Sequence, residues 1–315
     1  MINTPVERQR RFESLFDLHI DLFFKRDDLY PMPGGGTKAR KMQYIVKDIL
    51  KKGHDVLVTN GGPQSNHARA AALMAASIGM KCHLVIVLEP KVRYPLSGNI
   101  LLMQMAGAEI EYCRKDQLSE RMDMAIDHYR HLGHRPAYIW GGGHCHAGTV
   151  AFVDAAMEAQ SQCRDWIPDY LVIASGTGTT QAGLAIGYAD LPTRVIGVSV
   201  ARDSERGGRI VKDSIDDYFK KINKPNKDIH VDFRDNWICG GYEKTNDDLL
   251  KVIQKAAGAG LIADPTYSGK GLYGLIDLAR RGDIPQGSKV LFWHSGGLMN
   301  LMASQLASRF VQIDG

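Results

Sequence analysis

The feature of this sequence that most constrains its fold is the alternation of short apolar runs with stretches of helical periodicity along nearly the whole chain. Runs rich in β-branched and aromatic residues predict strands at 55–59, 81–87, 109–113, 137–140, 170–174, 194–200 and 289–293. Stretches with helical spacing of apolar residues predict helices at 65–80, 99–106, 120–132, 148–162, 179–189, 249–257 and 272–280. This alternation is typical of βαβ units, and it predicts an α/β protein with mostly parallel sheets and helices on both faces.

A glycine-rich stretch divides this pattern. Residues 141–148 (GGGHCHAG) follow the fourth predicted strand and precede a second series of strands and helices. We therefore predict a small α/β domain of residues 54–146 and a large domain formed by residues 1–53 together with 147–315. Ligands of open α/β sheets bind beyond the carboxyl ends of the strands, so the site is expected in the loops that follow strands.

Composition argues against several classes of protein. The 39 basic and 35 acidic residues give a formal net charge of only +4, which predicts neither a nucleic-acid-binding face nor a polybasic membrane anchor. The five cysteines form no CxxC pair, which fits reduced thiols better than disulfides. The first residues lack the apolar region of a secretory signal, and no apolar run reaches the ~18 residues of a membrane span. We expect a soluble, cytoplasmic protein.

The segment 34–41 (GGGTKARK) is the first candidate for a site. Three glycines allow a tight turn, and Thr37 is expected to cap a helix that begins at Lys38. Lys38 and Lys41 are three residues apart, so both extend from one face of the first helical turn. A helix N-terminus favours anions, so the lysine pair predicts a phosphate ligand. A glycine loop with two solvated lysines is the alternative.

A second candidate is the carboxylate loop, residues 60–67 (NGGPQSNH), which follows a predicted strand. Besides backbone N–H groups, it offers a carboxylate the side chains of Gln64, Ser65, Asn66 and His67. A plain helix N-cap explains Ser65 alone, but not its neighbours.

A third candidate is the phosphate loop, residues 175–180 (SGTGTT), which is rich in glycine and hydroxyl groups at a predicted helix N-terminus. It lacks the GxxxxGK[ST] pattern, and Gln181 stands where GxGxxG requires glycine. A single phosphate group therefore fits this loop better than a nucleotide.

Two C-terminal segments add a phenol and hydroxyl groups. Residues 264–270 (DPTYSGK) contain Tyr267 and Ser268, and residues 294–297 (HSGG) contain Ser295 after the last predicted strand. Each alone would be an ordinary turn. Together, the five segments supply a lysine pair, loops for a carboxylate and a phosphate, a phenol and hydroxyl groups.

In this order, the motifs resemble the 1-aminocyclopropane-1-carboxylate (ACC) deaminase / D-cysteine desulfhydrase family of fold-type-II enzymes, which use pyridoxal 5′-phosphate (PLP). The resemblance runs from residue 25 to residue 297 and rests on GG-x-K-x-R-K, GG-x-Q-S-N, S-x-T-G-x-T-Q-A-G, DP-x-Y-x-GK and H-x-GG. It implies a two-domain fold like that of the tryptophan synthase β chain, PLP as cofactor, a small amino acid as substrate and a homodimer.

The loop residues and the resemblance together predict roles for individual residues, and no metal site is expected. Lys38 would be the Schiff-base lysine, with Ser65 and Tyr267 as further catalytic residues. The cofactor-binding residues would be Lys38, Lys41, Asn66, Gly176, Thr177, Gly178, Thr179, Thr180 and Ser295. The substrate-binding residues would be Gln64, Ser65, Asn66, His67, His144, Tyr267 and Ser268.

The chain departs from the family's deaminases at positions that bear on the reaction. Deaminases carry Glu and Leu where this chain has Ser268 and Ser295, and Trp in a loop that here reads EPKVRY at 89–94. A hydroxyl facing the pyridine nitrogen leaves it unprotonated, which suits loss of a good Cβ leaving group. We therefore predict D-cysteine desulfhydrase-like α,β-elimination, giving a keto acid, ammonia and sulfide. Cationic capacity at His67, His144 and Arg93 keeps an acidic leaving group such as sulfonate in consideration.

Other functions remain open at this point. On the same scaffold they are ACC deamination, cysteate sulfo-lyase activity and β-replacement; outside catalysis, a PLP-binding regulatory protein. A metalloenzyme using His67, His144, Cys145 and His146 is disfavoured, because three successive residues do not easily converge on one ion. The sequence determines neither the leaving group nor the preference for D or L substrates.

Overall fold

The computed structural model describes residues 2–90, 92–304, 306 and 309. The strands are β1 (Val6–Arg8), β2 (Asp21–Lys25), β3 (Val56–Gly61), β4 (Lys81–Val87), β5 (Glu109–Cys113), β6 (Pro136–Ile139), β7 (Tyr170–Ser175), β8 (Arg194–Ser199), β9 (Asp232–Arg234) and β10 (Lys289–Trp293). The α-helices are α1 (Arg10–Phe16), α2 (Thr37–Lys51), α3 (Asn66–Ser77), α4 (Gly98–Met105), α5 (Leu118–His131), α6 (His146–Gln162), α7 (Thr179–Gly187), α8 (Ser204–Lys221), α9 (Asp247–Ala257), α10 (Ser268–Arg280) and α11 (Leu298–Met302).

The strands form two sheets. One has six strands in the order β1-β2-β10-β7-β8-β9, and the other has four in the order β5-β4-β3-β6. All neighbouring strands are parallel except β1 and β2. Parallel sheets need both faces covered, which explains the nearly continuous apolar runs in β4 and β10. The predicted α/β class with mostly parallel sheets is confirmed.

The two sheets use different parts of the chain. The strands of the four-stranded sheet all lie within residues 54–146, and those of the six-stranded sheet lie on either side of that segment. The domain limits at 53/54 and 146/147 stay predictions. Within the part of the chain that is described, no helix has the length and apolar character needed to cross a membrane.

Helix α2 contacts both sheets. Its apolar face packs into the core of the four-stranded sheet through Met42, Ile45, Val46 and Ile49. On its other face, buried Arg40 pairs with Asp27, just after β2, and with Glu158 on α6, each at 2.7 Å. Buried charges are costly unless they are paired. This double pairing therefore fixes the first turn of α2, which carries Lys38, to the six-stranded sheet.

Candidate active site

The start of α2 lies directly against the end of β10. The N-cap is Gly36 (φ 90°), so the helix begins one residue earlier than predicted, and Thr37 makes no capping hydrogen bond. A Cβ on Gly36 would lie 2.7 Å from the carbonyl oxygen of Ser295, and one on Gly296 would lie 2.8 Å from the Cα of Gly36. Only glycine permits this approach, which brings the loop of Lys38 and the loop of Ser295 together.

Lys38 and Lys41 form a pair of neighbouring amines, of which Lys41 is buried and Lys38 is half-buried. Burial lowers the pKa of Lys38 to about 8. Burial and the neighbouring charge of Lys38 lower the pKa of Lys41 well below its usual value. Lys41 has no exposed surface, and its Nζ donates a 3.4 Å hydrogen bond to the carbonyl oxygen of Gly142. No carboxylate of the described chain lies within 4 Å of either amine. Two neighbouring amines that are shielded from solvent and have no counter-ion fit an anionic ligand.

The phosphate loop connects β7 to α7. Gly178 is the N-cap of α7 and has φ 78°, while a Cβ there would lie 3.1 Å from the backbone nitrogen of Val211. Arg202 Nη1 donates to the carbonyl oxygen of Gly176. Thr179 and Thr180 are buried in the first turn of the helix, whose leading N–H groups have no partner within the helix. The predicted loop thus has the conformation of an anion site.

The side chain of His144 lies against the phosphate loop. Its Nδ1 is 3.0 Å from the carbonyl oxygen of Thr177 and 3.0 Å from Oγ1 of Thr179. Burial is the main cause that lowers the pKa of His144. The ring is therefore attached to the phosphate loop, and its burial disfavours the charged form.

In the carboxylate loop, Ser65 and Asn66 each keep a free hydrogen-bond donor. Ser65 Oγ accepts a hydrogen bond from the backbone nitrogen of Ala68, so its hydroxyl proton is free for another partner. Asn66 Oδ1 accepts from Asn99 Nδ2 at 3.0 Å, which leaves the Asn66 amide nitrogen as a donor. Asn99 is fully buried, and sequence reasoning did not single it out.

Gln64, in contrast, uses its side chain for structure. Its Oε1 accepts from the backbone nitrogen of Asn99, and its Nε2 donates to the carbonyl oxygen of Ser97, both at 2.9 Å. These bonds tie the carboxylate loop to the start of α4. The side-chain amide of Gln64 is thus occupied, although the sequence suggested it for substrate.

His67 is buried and donates one hydrogen bond. The hydroxyl of Thr59 donates to the carbonyl oxygen of Ile139 at 2.6 Å, so Thr59 accepts from Nε2 of His67 at 2.8 Å. Nδ1 therefore carries no proton, and it is buried without a partner in the described chain. Burial and the charges of Lys38 and Lys41 lower the pKa of His67 to about 3. This lowered pKa argues against His67 as a source of positive charge, while its role in substrate binding stays a prediction.

Tyr267 lies beside a second phenol that sequence reasoning missed. The hydroxyl groups of Tyr267 and Tyr242 are hydrogen-bonded, and burial raises the pKa of Tyr267 well above its usual value. Tyr242 follows two glycines and belongs to no motif. Buried Lys270 holds the loop before it through bonds to the carbonyl oxygens of Ile238 and Gly241. No signal in the sequence joins Tyr242 to Tyr267.

Ser268 and Ser295, which stand where the family's deaminases carry Glu and Leu, differ in their hydrogen bonds. Ser268 is fully buried: its Oγ donates to Asp264 Oδ1 at 2.7 Å and accepts from the Asp264 backbone nitrogen at 2.9 Å. Its hydroxyl is therefore committed to Asp264. Ser295 Oγ is also buried, but it has no partner among the described residues. Such a group is rare unless a ligand completes it.

These observations test whether PLP fits. The phosphate loop and the unpaired lysines suit its phosphate, and an amine with a lowered pKa suits its aldehyde. The orphan hydroxyl of Ser295 suits the pyridine nitrogen. Arg93, the remaining cationic residue considered for substrate, lines a cavity of about 300 Å³ together with Gln64 and Glu243.

A metal site finds no comparable support. No group of three or more His, Cys, Asp or Glu side chains in the described ranges could hold an ion. His146 stacks on Tyr218 of α8 with a centroid distance of 5.6 Å, whereas His144 bonds the phosphate loop. The two histidines thus face different elements.

Comparison with known proteins agrees with the fold and the site. The chain matches the model of a family described as pyridoxal-phosphate dependent enzymes over residues 1–296. It is 34% identical over 311 residues to an ACC deaminase of Rhizobium leguminosarum bv. viciae, covering 93% of this chain and 91% of that protein. It is also 34% identical over 320 residues to an ACC deaminase of Burkholderia vietnamiensis, covering 95% and 93%.

Solved structures give the same result. A structure described as an ACC deaminase homologue aligns with a TM-score of 0.88 at 30% identity, covering 98% of this chain and 93% of that one. A PLP-dependent aspartate racemase shares the fold, with a TM-score of 0.69 at 16% identity and coverage of 96% and 93%. Fold and site thus define a PLP-dependent enzyme of fold type II. The chain belongs to the pyridoxal-phosphate dependent enzymes and, within them, to the ACC deaminase family, and its cofactor is PLP.

Proposed function

We propose that this enzyme catalyses α,β-elimination from a small amino acid with a good leaving group on Cβ, as a D-cysteine desulfhydrase does. The Cα–H bond and the bond from Cβ to the leaving group break. With cysteine and water, the products are pyruvate, ammonia and hydrogen sulfide. The proposal goes beyond the family membership, because family members differ in which bond they cleave.

The protein's own residues have separable tasks in this proposal. Bound PLP supplies the electron sink that makes the Cα proton of an amino acid acidic. Lys38 holds the cofactor and then accepts that proton at Nζ, for which its lowered pKa keeps a useful neutral fraction. Ser65 and the neighbouring N–H groups hold the substrate carboxylate. Tyr267 stays protonated because burial raises its pKa, so its hydroxyl can donate to the departing group.

The remaining assignments follow the same contacts. We assign the phosphate to Lys41 and residues 176–180, the phenolic oxygen of PLP to the amide nitrogen of Asn66, and the pyridine nitrogen to Ser295. The amines of Lys38 and Lys41, which have no counter-ion, and the N-terminus of α7 support the phosphate assignment. The bond between Asn66 and Asn99 supports the role of Asn66, and the hydroxyl of Ser295, which has no partner among the described residues, supports its role.

The observation that carries the choice of reaction is the hydroxyl of Ser295. A carboxylate at the pyridine nitrogen would hold a proton there, whereas a serine hydroxyl does not. The acid closest in sequence to the site tyrosine is Asp264, and its carboxylate already accepts from the backbone nitrogens of residues 266, 267 and 268 and from Ser268 Oγ. A neutral ring limits carbanion build-up, which suits early departure of a good leaving group.

ACC deamination is the second candidate. The curated relatives at 34% identity over more than nine-tenths of this chain are named ACC deaminases. Those names favour ring opening over elimination, while Ser268 and Ser295 favour elimination. One substrate series distinguishes the two.

The test is keto acid formation by the purified holoenzyme from D-cysteine, L-cysteine, β-chloroalanine, both enantiomers of cysteate, serine and ACC. Elimination predicts pyruvate from at least one substrate with a Cβ leaving group, at a kcat/KM at least tenfold above that for ACC. Neutral His67 and His144 predict that cysteine outruns cysteate. If ACC outruns every elimination substrate, the argument from Ser295 is wrong and the enzyme is a deaminase.

A further inference from the structure

The glycine turn, residues 141–143, and the histidine that follows it lie between the lysine pair and the phosphate loop. Gly142 has φ 77°, and a Cβ there would lie 2.7 Å from Cγ2 of Thr177. Gly143 has φ 66°, and a Cβ there would lie 3.3 Å from Cδ of Lys41. The turn therefore touches the phosphate loop on one side and Lys41 on the other. Such contact requires residues without side chains.

This turn places His144 in contact with Thr177 and Thr179 of the phosphate loop. A carbonyl oxygen can only accept, so Nδ1 of His144 carries the proton and shares it between the Thr177 oxygen and Thr179 Oγ1, each at 3.0 Å. In a trans peptide, the C=O and the next N–H point in opposite directions. Holding the carbonyl of Thr177 on His144 thus fixes the direction of the Gly178 N–H, and it keeps that oxygen from turning towards an anion.

We propose that His144 is a positioning residue for the cofactor's phosphate, acting through the phosphate loop. It contacts neither phosphate nor substrate in this role; it holds the carbonyl of Thr177 and the hydroxyl of Thr179 so that the N–H groups at the α7 N-terminus face the anion. The proposal rests on the assignment of the phosphate to residues 176–180. It replaces the expectation, drawn from the sequence, that His144 binds substrate.

The neighbouring His146 provides a matched control. It lies two residues further on, at the start of α6, but its ring stacks on Tyr218, and its Nδ1 is 3.9 Å from Asp217, so it faces α8 rather than the phosphate loop. Asparagine provides a conservative replacement for His144. Its Nδ2 is bonded to Cγ, as histidine Nδ1 is, so His144→Asn can keep the donor to Thr177.

The experiment measures the dissociation constants of PLP and of pyridoxal, which lacks the phosphate, for the apo forms of four proteins. These are the wild type, His144→Ala, His144→Asn and His146→Ala. We expect His144→Ala to weaken PLP about five- to twentyfold and to leave pyridoxal within twofold. His144→Asn and His146→Ala should stay within about threefold of wild type for both ligands. The thermal midpoint of each apo protein reports whether it is folded, and His144→Gln replaces His144→Ala should the latter not fold.

Two results would overturn the proposal. One is unchanged PLP affinity in folded His144→Ala. The other is an equal loss of affinity for PLP and pyridoxal, which would mean that His144 acts elsewhere in the site. The variant Gly178→Val tests separately whether residues 176–180 bind the phosphate, which the proposal for His144 assumes. If Gly178→Val leaves PLP affinity intact, the phosphate assignment itself fails; if only that variant weakens PLP, the phosphate assignment stands and the role of His144 is wrong.

Discussion

Lys41 is buried and Lys38 lies half-buried beside it. Amines with a lowered pKa are common at sites of catalysis or anion binding. The third cation of this turn, Arg40, faces away and pairs with Asp27 and Glu158. The charge of Arg40 is therefore not among the causes that lower the pKa of Lys38. Burial is instead the main cause. The spacing of residues along α2 predicted which side chains share a helix face, but not which of them would form an ion pair with a carboxylate.

The lowered pKa of Lys38 predicts how cofactor loading depends on pH. At pH 7.5, about a quarter of an amine with a pKa near 8 is neutral, against about one in a thousand at the ordinary value of 10.5. Because the neutral amine attacks the aldehyde, the loading rate of the apo enzyme should rise with pH and level off just above pH 8. Stopped-flow absorbance measures the rate, with Nα-acetyl-lysine as the control amine. A rate that keeps rising beyond pH 10 would show that Lys38 is not perturbed.

Ser295 and Ser268 should respond differently to the same substitution. Ser295→Ala removes an unpartnered hydroxyl, so it should lower kcat about tenfold or more and leave the free energy of unfolding nearly unchanged. Ser268→Ala removes a donor to buried Asp264, so it should lower the free energy of unfolding by about 1–3 kcal/mol. Urea unfolding and steady-state kinetics measure both. A fall in kcat with Ser268→Ala alone, at unchanged stability, would reverse the two roles.

At the scale of elements, the loops predicted from the sequence do follow parallel strands. The carboxylate loop follows β3, the phosphate loop follows β7, and Ser295 follows β10. β7 and β10 are neighbours in one sheet, so their loops lie at the same edge. The position of these loops could therefore be predicted from the strand pattern and from the residues typical of turns.

The phosphate loop makes a direct prediction. Gly178→Val adds a side chain at φ 78°, where the new Cβ would lie 3.1 Å from Val211. We expect PLP affinity to fall by about 1–3 kcal/mol because of backbone strain. Gly208→Val on α8 is the control, since nothing lies within 4 Å of a Cβ there. Equilibrium dialysis against PLP measures the loss, and equal affinities for the two folded variants would contradict the role of the loop.

Elements with strong periodicity were predicted well, and others were missed for identifiable reasons. β4, β5 and β10 begin and end where the sequence places them. β1 and β9 have three residues each, too few to show an alternation. α8 carries Gly207 and Gly208 within the helix, and these two glycines lower its helix propensity.

At the scale of the whole molecule, the site depends on contacts that sequence order does not reveal. Asn300 of α11 donates to the carbonyl oxygen of Gln64 at 2.8 Å and accepts from Asn99 Nδ2 at 3.2 Å. These bonds join the C-terminal part of the chain to the carboxylate loop. A motif search finds residues with familiar neighbours, whereas Asn99, Asn300 and Tyr242 acquire their positions only through packing. The implied homodimer and cytoplasmic location stay predictions.

The central claim is that each chain of the enzyme carries one PLP, held on Lys38. The most direct measurement is borohydride reduction of the purified holoenzyme, followed by intact mass and peptide mapping. The account predicts one reduced pyridoxyl phosphate per chain, located on Lys38, and none after reduction of Lys38→Ala. An adduct on Lys41 or Lys270, or a Lys38→Ala variant that still carries the adduct, would contradict it.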